Sequence, residues 1–184
     1  ETLNKDYVLR IKIPKEGKIQ IEDDIQGLVS VNHESLEDFI ILRSDNTPTY
    51  MLAVVVDDYI MKVTNVIRGD DHLTNTFKQI ILYNALNWQI PTFAHIPLIY
   101  GTDGTKLSKR HGAQSVLEYK KIRMLPEALN NYLLRLGWGY KDKEYFTTQE
   151  AINLFNIKGI GKSPSRFDSV KLESLNSFYF KKLN

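Results

Sequence analysis

Between Val63 and Tyr100 the sequence changes period twice, and this constrains the fold more than any other feature. Val63-Thr64-Asn65-Val66-Ile67 reads as a strand. From about Thr74 to Leu86, Phe77, Ile80, Ile81, Tyr83 (or Asn84) and Leu86 fall near helical spacing, and Thr74 or Asn75 can cap the start. Phe93 to Tyr100 reads as a strand again. Strand, helix, strand is a crossover unit, and it predicts an α/β, nucleotide-type fold. Just upstream, Met51-Leu52-Ala53-Val54-Val55-Val56 is a nearly continuous apolar run rich in β-branched residues. It predicts one more strand, buried on both faces and ending at Asp57-Asp58.

The flanks differ. From Tyr7 to about Asn46 short runs alternate apolar and polar residues, at Tyr7 to Ile13, Lys18 to Ile21 and Leu28 to Val31. Turn signals stand at Pro14-Lys15-Glu16-Gly17 and Gln26-Gly27. This predicts a small sheet, with Phe39-Ile40-Ile41-Leu42-Arg43 as its last strand or a short helix. From about Ser115 onward the chain reads as all helical. Pro126 opens and Gly137 stops one helix. Thr147-Thr148-Gln149-Glu150 has the form of a capping box before Ala151. A final helix is expected from about Asp168 to Leu183.

Composition bounds the function classes. Of 184 residues, 42% are hydrophobic and 25% charged, enough to bury a core. A net charge of +2 neither argues for nor excludes a nucleic-acid partner, because local patches matter more than the sum. Cysteine is absent, which rules out disulfides and thiolate metal sites. No apolar run is long enough for a membrane-spanning helix, and a cytoplasmic location is the expectation. The chain opens at Glu1 and runs almost at once into a strand, as a piece of something longer would.

The densest chemistry lies at Lys106-Leu107-Ser108-Lys109-Arg110, in a loop that begins Tyr100-Gly101-Thr102-Asp103-Gly104-Thr105. Alone, such a cluster reads as a solvated basic surface. After a strand end, and with glycines that let backbone bend closely around a ligand, it suits charge neutralisation on a polyphosphate.

Five motifs in order carry a resemblance. They are Thr47-Pro48-Thr49-Tyr50, Val54-Val55-Val56-Asp57-Asp58, Val66-Ile67-Arg68-Gly69-Asp70-Asp71-His72-Leu73 with Asn75-Thr76, Lys106 through Ala113, and Leu125-Pro126-Glu127-Ala128-Leu129. The set resembles bacterial glutamyl-tRNA synthetases, class I aminoacyl-tRNA synthetases, over essentially the whole chain. The family's His-x-Gly-His signature does not occur here, and there is no room for its anticodon-binding region. The resemblance therefore implies a central fragment. Residues 1–46 would end the acceptor-binding insertion, 47–104 would form the second half of the Rossmann-type catalytic domain, and 105–184 the lysine-motif loop and helical stem-contact domain.

The resemblance implies a glutamate–tRNA ligase. Such an enzyme activates L-glutamate with ATP, Mg2+ arriving with the nucleotide, and transfers it to tRNA(Glu). A monomer is expected, with no metal site in this segment, and a fragment inactive alone. Lys106, Ser108 and Lys109 would be catalytic, with Lys106, Lys109 and His72 on ATP. Tyr50 and Arg68 would hold glutamate, because a guanidinium grips a carboxylate with paired hydrogen bonds. On the residues alone, Tyr50 could pack in the core, and Arg68 could pair with Asp70 or Asp71. Val54 stands where some relatives carry a polar residue that helps bind substrate. Arg43, Arg110 and Arg166 are weaker candidates for tRNA phosphates, as are Lys120, Lys121, Arg123, Lys158, Lys162 and Lys171. His95 reads as a satisfied core residue, His33 as surface. Two alternatives stay open: a non-catalytic tRNA- or nucleotide-binding module, and an enzyme like the glutamyl-Q tRNA(Asp) synthetases.

Overall fold

The protein is described from a computed structural model, over residues 7–107 and 115–183. It forms two compact units, Glu1–His95 and Ile96–Asn184.

The first unit is α/β. Its four-stranded sheet has the order β3 (Gly27–Asn32), β2 (Lys18–Asp23), β6 (Thr92–Ile96), β5 (Asn65–Gly69). Strands β2 and β3 form an antiparallel hairpin, and β2 joins β6 in parallel at Asp23 and Phe93. The hairpin turn is held by the Asp23 carboxylate, which accepts the backbone N–H groups of Ile25 and Gln26 at 3.0 and 2.8 Å. Gly27 closes it at φ +80°, a conformation glycine adopts without strain. Strands β1 (Leu9–Ile11) and β4 (Phe39–Leu42) pair in a separate antiparallel sheet, so the small sheet expected of the first zone is in fact two pieces.

Two helices complete this unit. Helix α2 (Leu73–Ala85) buries Phe77 and Ile80 against Ile19, Ile21 and Phe93 of the sheet. Its Leu82 and Tyr83 pack against Val55 of helix α1 (Tyr50–Ile60). The α2 expectation is borne out within a residue. The expected cap is not: a 3-10 turn, Asp70–His72, leads straight into it, so Thr74 and Asn75 lie inside the helix.

The strand expected at Met51–Val56 is overturned, since those residues lie in α1. An uninterrupted apolar run carries no period and fits a helix as well as a strand. As a helix it sets Met51, Val54 and Val55, spaced i, i+3, i+4, against Phe39, Ile41 and Leu82. Asp57 and Asp58 accordingly cap no strand end. They sit in the last turn of α1, their carbonyls accepting the Met61 and Val63 N–H groups at 2.8 and 2.9 Å. That closure displaces β5 two residues from the expected Val63–Ile67.

The second unit packs α4 (Pro126–Gly137) on α6 (Ser169–Lys181) around Leu129, Tyr132, Leu136, Leu172 and Leu175. Helices α3 (Val116–Lys121) and α5 (Thr148–Leu154) flank them. The expected capping box is present: Thr147 Oγ1 accepts the Glu150 N–H at 3.2 Å, and Glu150 Oε2 accepts the Thr147 N–H at 2.9 Å. The expectation of an all-helical third zone misses β8 (Ser165–Arg166), which pairs in parallel with β7 (Ile99–Tyr100). The strand expected over Phe93–Tyr100 is broken in two because Pro97, between β6 and β7, has no N–H to donate.

Candidate functional site

Arg68 is the centre of the first unit's polar chemistry. It occupies the fourth position of β5, half-buried, above the Phe93 ring at 5.7 Å. Its Nη2 donates to Thr76 Oγ1 and to Gln79 Oε1, both at 2.7 Å. Its Nε donates to His95 Nε2 at 3.3 Å. Three of its five N–H groups are thus committed, and Nη1 has no hydrogen-bond partner among the described residues. Burial pulls the guanidinium below its ordinary pKa, opposed by Tyr50, Asp58, Tyr83 and Asp71. It stays charged at neutral pH. The hydrogen bonds run to Thr76, Gln79 and His95 rather than to the Asp70 and Asp71 weighed from sequence.

Beneath Arg68 lies a buried chain of partners. His95 is fully buried, as its reading as a satisfied core residue required. Its Nδ1 meets Asp23 Oδ2 at 2.6 Å and its Nε2 meets Thr76 Oγ1 at 2.9 Å. Asp23 Oδ1 also accepts the His95 backbone N–H at 3.1 Å. Burial raises the Asp23 pKa, but the Gln26 N–H, the His95 ring and backbone, and the Ile25 N–H outweigh it, so the carboxyl titrates below its ordinary value. Sequence reasoning assigned Asp23 and Gln79 no role. The signal for Asp23 was there: in Lys18-Ile19-Gln20-Ile21-Glu22-Asp23, the carboxylate takes the inward position a third apolar residue would fill.

Tyr50 opens α1 with half of its surface exposed (51%), so it is no core residue. It is close enough to Arg68 to act on its charge. His72 Nδ1 accepts from Asn75 Nδ2 at 3.2 Å. Val54 packs against the apolar cluster of Val55, Leu82 and Tyr83. A cleft of about 420 Å3 opens elsewhere in this unit, beside Asp58, Lys62, Tyr83 and Gln89, and neither Tyr50, Arg68 nor His72 lines it.

In the second unit Lys106 stands at the base of a tight turn. Tyr100 and Lys106 are antiparallel bridge partners, and Leu107 N–H donates to the Ile99 carbonyl at 2.9 Å. Gly104 makes the reversal at φ +77°. On its other side Tyr100 pairs with Arg166. Residues directly opposed across strands share a face, so Lys106 and Arg166 flank Tyr100 on one face, roughly 10 Å apart. Ser108, Lys109 and Arg110 lie outside the described residues. Arg43 ties its own turn, Nη1 donating to the Pro48 carbonyl at 2.8 Å and to Thr47 Oγ1 at 3.2 Å. Among the described residues no cluster of three or more His, Cys, Asp or Glu could hold a metal ion, and no helix is long and apolar enough to cross a membrane.

Comparison with known proteins gives one consistent result. The family model described as tRNA synthetases class I (E and Q), catalytic domain, matches residues 1–174. Glutamate–tRNA ligase 1 of Gluconacetobacter diazotrophicus is 58% identical over 175 residues, 95% of this chain and 38% of that protein. Glutamate–tRNA ligase 2 of Wolbachia pipientis is 52% identical over 183 residues, 100% of this chain and 41% of that protein. A crystal structure of a glutamate tRNA ligase from Elizabethkingia meningosepticum, in complex with its amino acid, superposes with a TM-score of 0.87 at 34% identity. That match covers 96% of this chain and 39% of that one. The chain spans about two-fifths of the length of these relatives.

Proposed function

The chain belongs to the catalytic-domain family of class I tRNA synthetases (E and Q), and from that premise we propose that it is the central part of a glutamate–tRNA ligase. The observation that carries the reading is Arg68, a charged guanidinium held rigidly on three sides with Nη1 uncommitted, beside an exposed Tyr50. That is the equipment for a carboxylate. The identity to glutamate–tRNA ligases across 95% of the chain supports glutamate as its owner.

In this reading the protein activates glutamate with ATP, as glutamyl-adenylate, and passes it to the 3′ end of tRNA(Glu). Positioning and charge stabilisation dominate such chemistry. Arg68 and Tyr50 hold glutamate, and His72 lies on the ATP side. Lys106 and Lys109 neutralise the triphosphate, and Ser108 donates to it. Arg166, one strand from Tyr100, adds positive charge on the face of Lys106, where a phosphate of ATP or tRNA fits. Arg43 and Arg110 are secondary tRNA contacts. Mg2+ comes with ATP. Residues 1–46 end an acceptor-binding insertion, and 105–184 hold the lysine motif and a stem-contact region. The protein works as a cytoplasmic monomer.

The test is charging by the full-length protein. Glutamate-dependent ATP–pyrophosphate exchange with tRNA, and glutamate transfer to tRNA(Glu), are the expected results. Transfer to tRNA(Asp) alone would move the assignment to the glutamyl-Q enzymes. ATP or tRNA binding without any transfer would leave a non-catalytic module.

A further inference from the structure

We propose that Asp23, His95 and Thr76 form a one-way hydrogen-bond relay that sets the orientation of Arg68 and leaves its Nη1 as the side offered to a carboxylate. The proposal rests on the reading of Arg68 as the glutamate-binding residue and deepens it. Asp23, His95 and Thr76 become positioning residues of that site, with none of them touching substrate.

The direction of the relay follows from which groups can only donate and which can only accept. Arg68 has no acceptor atom, so Nη2 donates to Thr76 Oγ1 at 2.7 Å and Nε donates towards His95 Nε2 at 3.3 Å. An ionised carboxylate has no donor, so His95 Nδ1 carries a proton and donates it to Asp23 Oδ2 at 2.6 Å. His95 Nε2 must then be a lone pair, and Arg68 Nε donates towards it. The single Thr76 hydroxyl proton has two acceptors in reach, His95 Nε2 at 2.9 Å and the His72 carbonyl at 3.3 Å. It goes to His95, because otherwise two lone pairs would face each other across the shorter contact. His95 is thereby held as the neutral Nδ1–H tautomer. Every proton in the chain points from Arg68 towards Asp23.

Two further features tie the relay to orientation. Asp23 is itself immobile, because its Oδ1 accepts three backbone N–H groups, from Ile25, Gln26 and His95. And Gln79 gives Oε1 to Arg68 while its buried Nε2 has no hydrogen-bond partner among the described residues. Rotating that amide would set two donors against each other. A buried orphan donor is costly, and here it is tolerated to keep an acceptor on Arg68.

Asp23→Asn reverses the relay at constant shape. The three backbone N–H groups keep the amide oxygen at the Oδ1 position, which turns the NH2 towards His95 Nδ1. His95 must switch to the Nε2–H tautomer, whose N–H then faces the Arg68 donors. Thr76→Val cuts the relay at another link without changing side-chain shape, and Thr76→Ser restores the hydroxyl.

The experiment is steady-state charging by the full-length protein, with 15N spectra of its histidine rings. Expected are a glutamate KM about tenfold higher in Asp23→Asn and Thr76→Val, an ATP KM changed less than about twofold, and most of the loss recovered in Thr76→Ser. The His95 ring should move from the Nδ1–H to the Nε2–H pattern in Asp23→Asn. If Asp23→Asn does not fold, the Thr76 pair carries the test. Arg68→Ala separates the two levels of the argument. An unchanged glutamate KM there overturns the reading of Arg68 and the relay with it. A raised KM in Arg68→Ala, with normal glutamate KM in Asp23→Asn and Thr76→Val, overturns the relay alone. Equal losses for glutamate and ATP, or a Thr76→Ser as poor as Thr76→Val, would show packing rather than orientation and also overturn it.

Discussion

At Arg68 the charge is only part of what matters, because the planar fork reaches three acceptors at once. A lysine at this position keeps the charge and loses the fork. Arg68→Lys in the full-length protein is therefore expected to lower glutamate kcat/KM by about 10²-fold, the weight of a charge-assisted contact of roughly 3 kcal/mol. A purely scaffolding Arg68 would instead lower the melting temperature with near-normal glutamate kinetics in the folded fraction. Lys109 makes a different demand. In the proposed reading, charge grows on pyrophosphate only as the bond breaks, so Lys109→Ala in the full-length protein should reduce kcat for adenylate formation by on the order of 10²–10³. A normal kcat with a much raised ATP KM would contradict that role. Arg68, Tyr50 and the lysine cluster stand out as candidates because motifs carry them. Asp23 shows in the sequence only as an acid at an inward strand position, and Gln79 not at all, because their partners come together only when β2, β6 and α2 pack.

Elements were legible where the sequence repeats a period or carries a cap. Helix α2 shows helical spacing, α4 runs from Pro126 to Gly137, and α5 starts at a capping box. Helix α1 was read as a strand because six consecutive apolar residues have no phase, and only packing between β4 and α2 decides their state. Strand β8 is two residues long, too short for any pattern, and exists because β7 offers it an edge. The connection after α5 makes its own prediction. A Cβ on Gly159 would stand 2.5 Å from Trp138 Nε1 and 2.9 Å from its Cδ1. That indole cannot swing away cheaply, since it donates to the Asn156 carbonyl at 3.1 Å and is packed by Phe146 and Phe155. Gly159→Ala should destabilise the chain by about 1–3 kcal/mol. Gly137→Ala, in the last turn of α4 with open space around it, should be neutral or stabilise by about 0.5–1 kcal/mol. Thermal melts of the two variants should move in clearly different ways.

For the whole molecule, pH acts from two sides. On the acid side Asp23 titrates below its ordinary value in the fold, so its contribution is complete above about pH 4 and is lost as pH falls through the folded value. On the alkaline side burial raises Tyr83 in the first unit, to about 12, and Tyr119, Tyr132 and Tyr179 in the second. Desolvation is the largest cause in each, and Asp58 adds repulsion at Tyr83. A raised folded pKa gives a contribution that is complete below the unfolded value near 10 and is lost as pH climbs towards 12, because the unfolded chain releases its protons first. For Tyr83, only 2% exposed, two pKa units correspond to on the order of 2–3 kcal/mol. Urea midpoints at pH 7, 9, 10.5 and 11.5 should stay level and then fall. Tyr83→Phe isolates the tyrosine's share. The Tyr83 hydroxyl has no hydrogen-bond partner among the described residues, so its removal should leave the pH 7 midpoint nearly unchanged and flatten the alkaline fall. If the variant loses stability between pH 9 and 11.5 as steeply as the parent, Tyr83 ionisation is not what opens the fold in base.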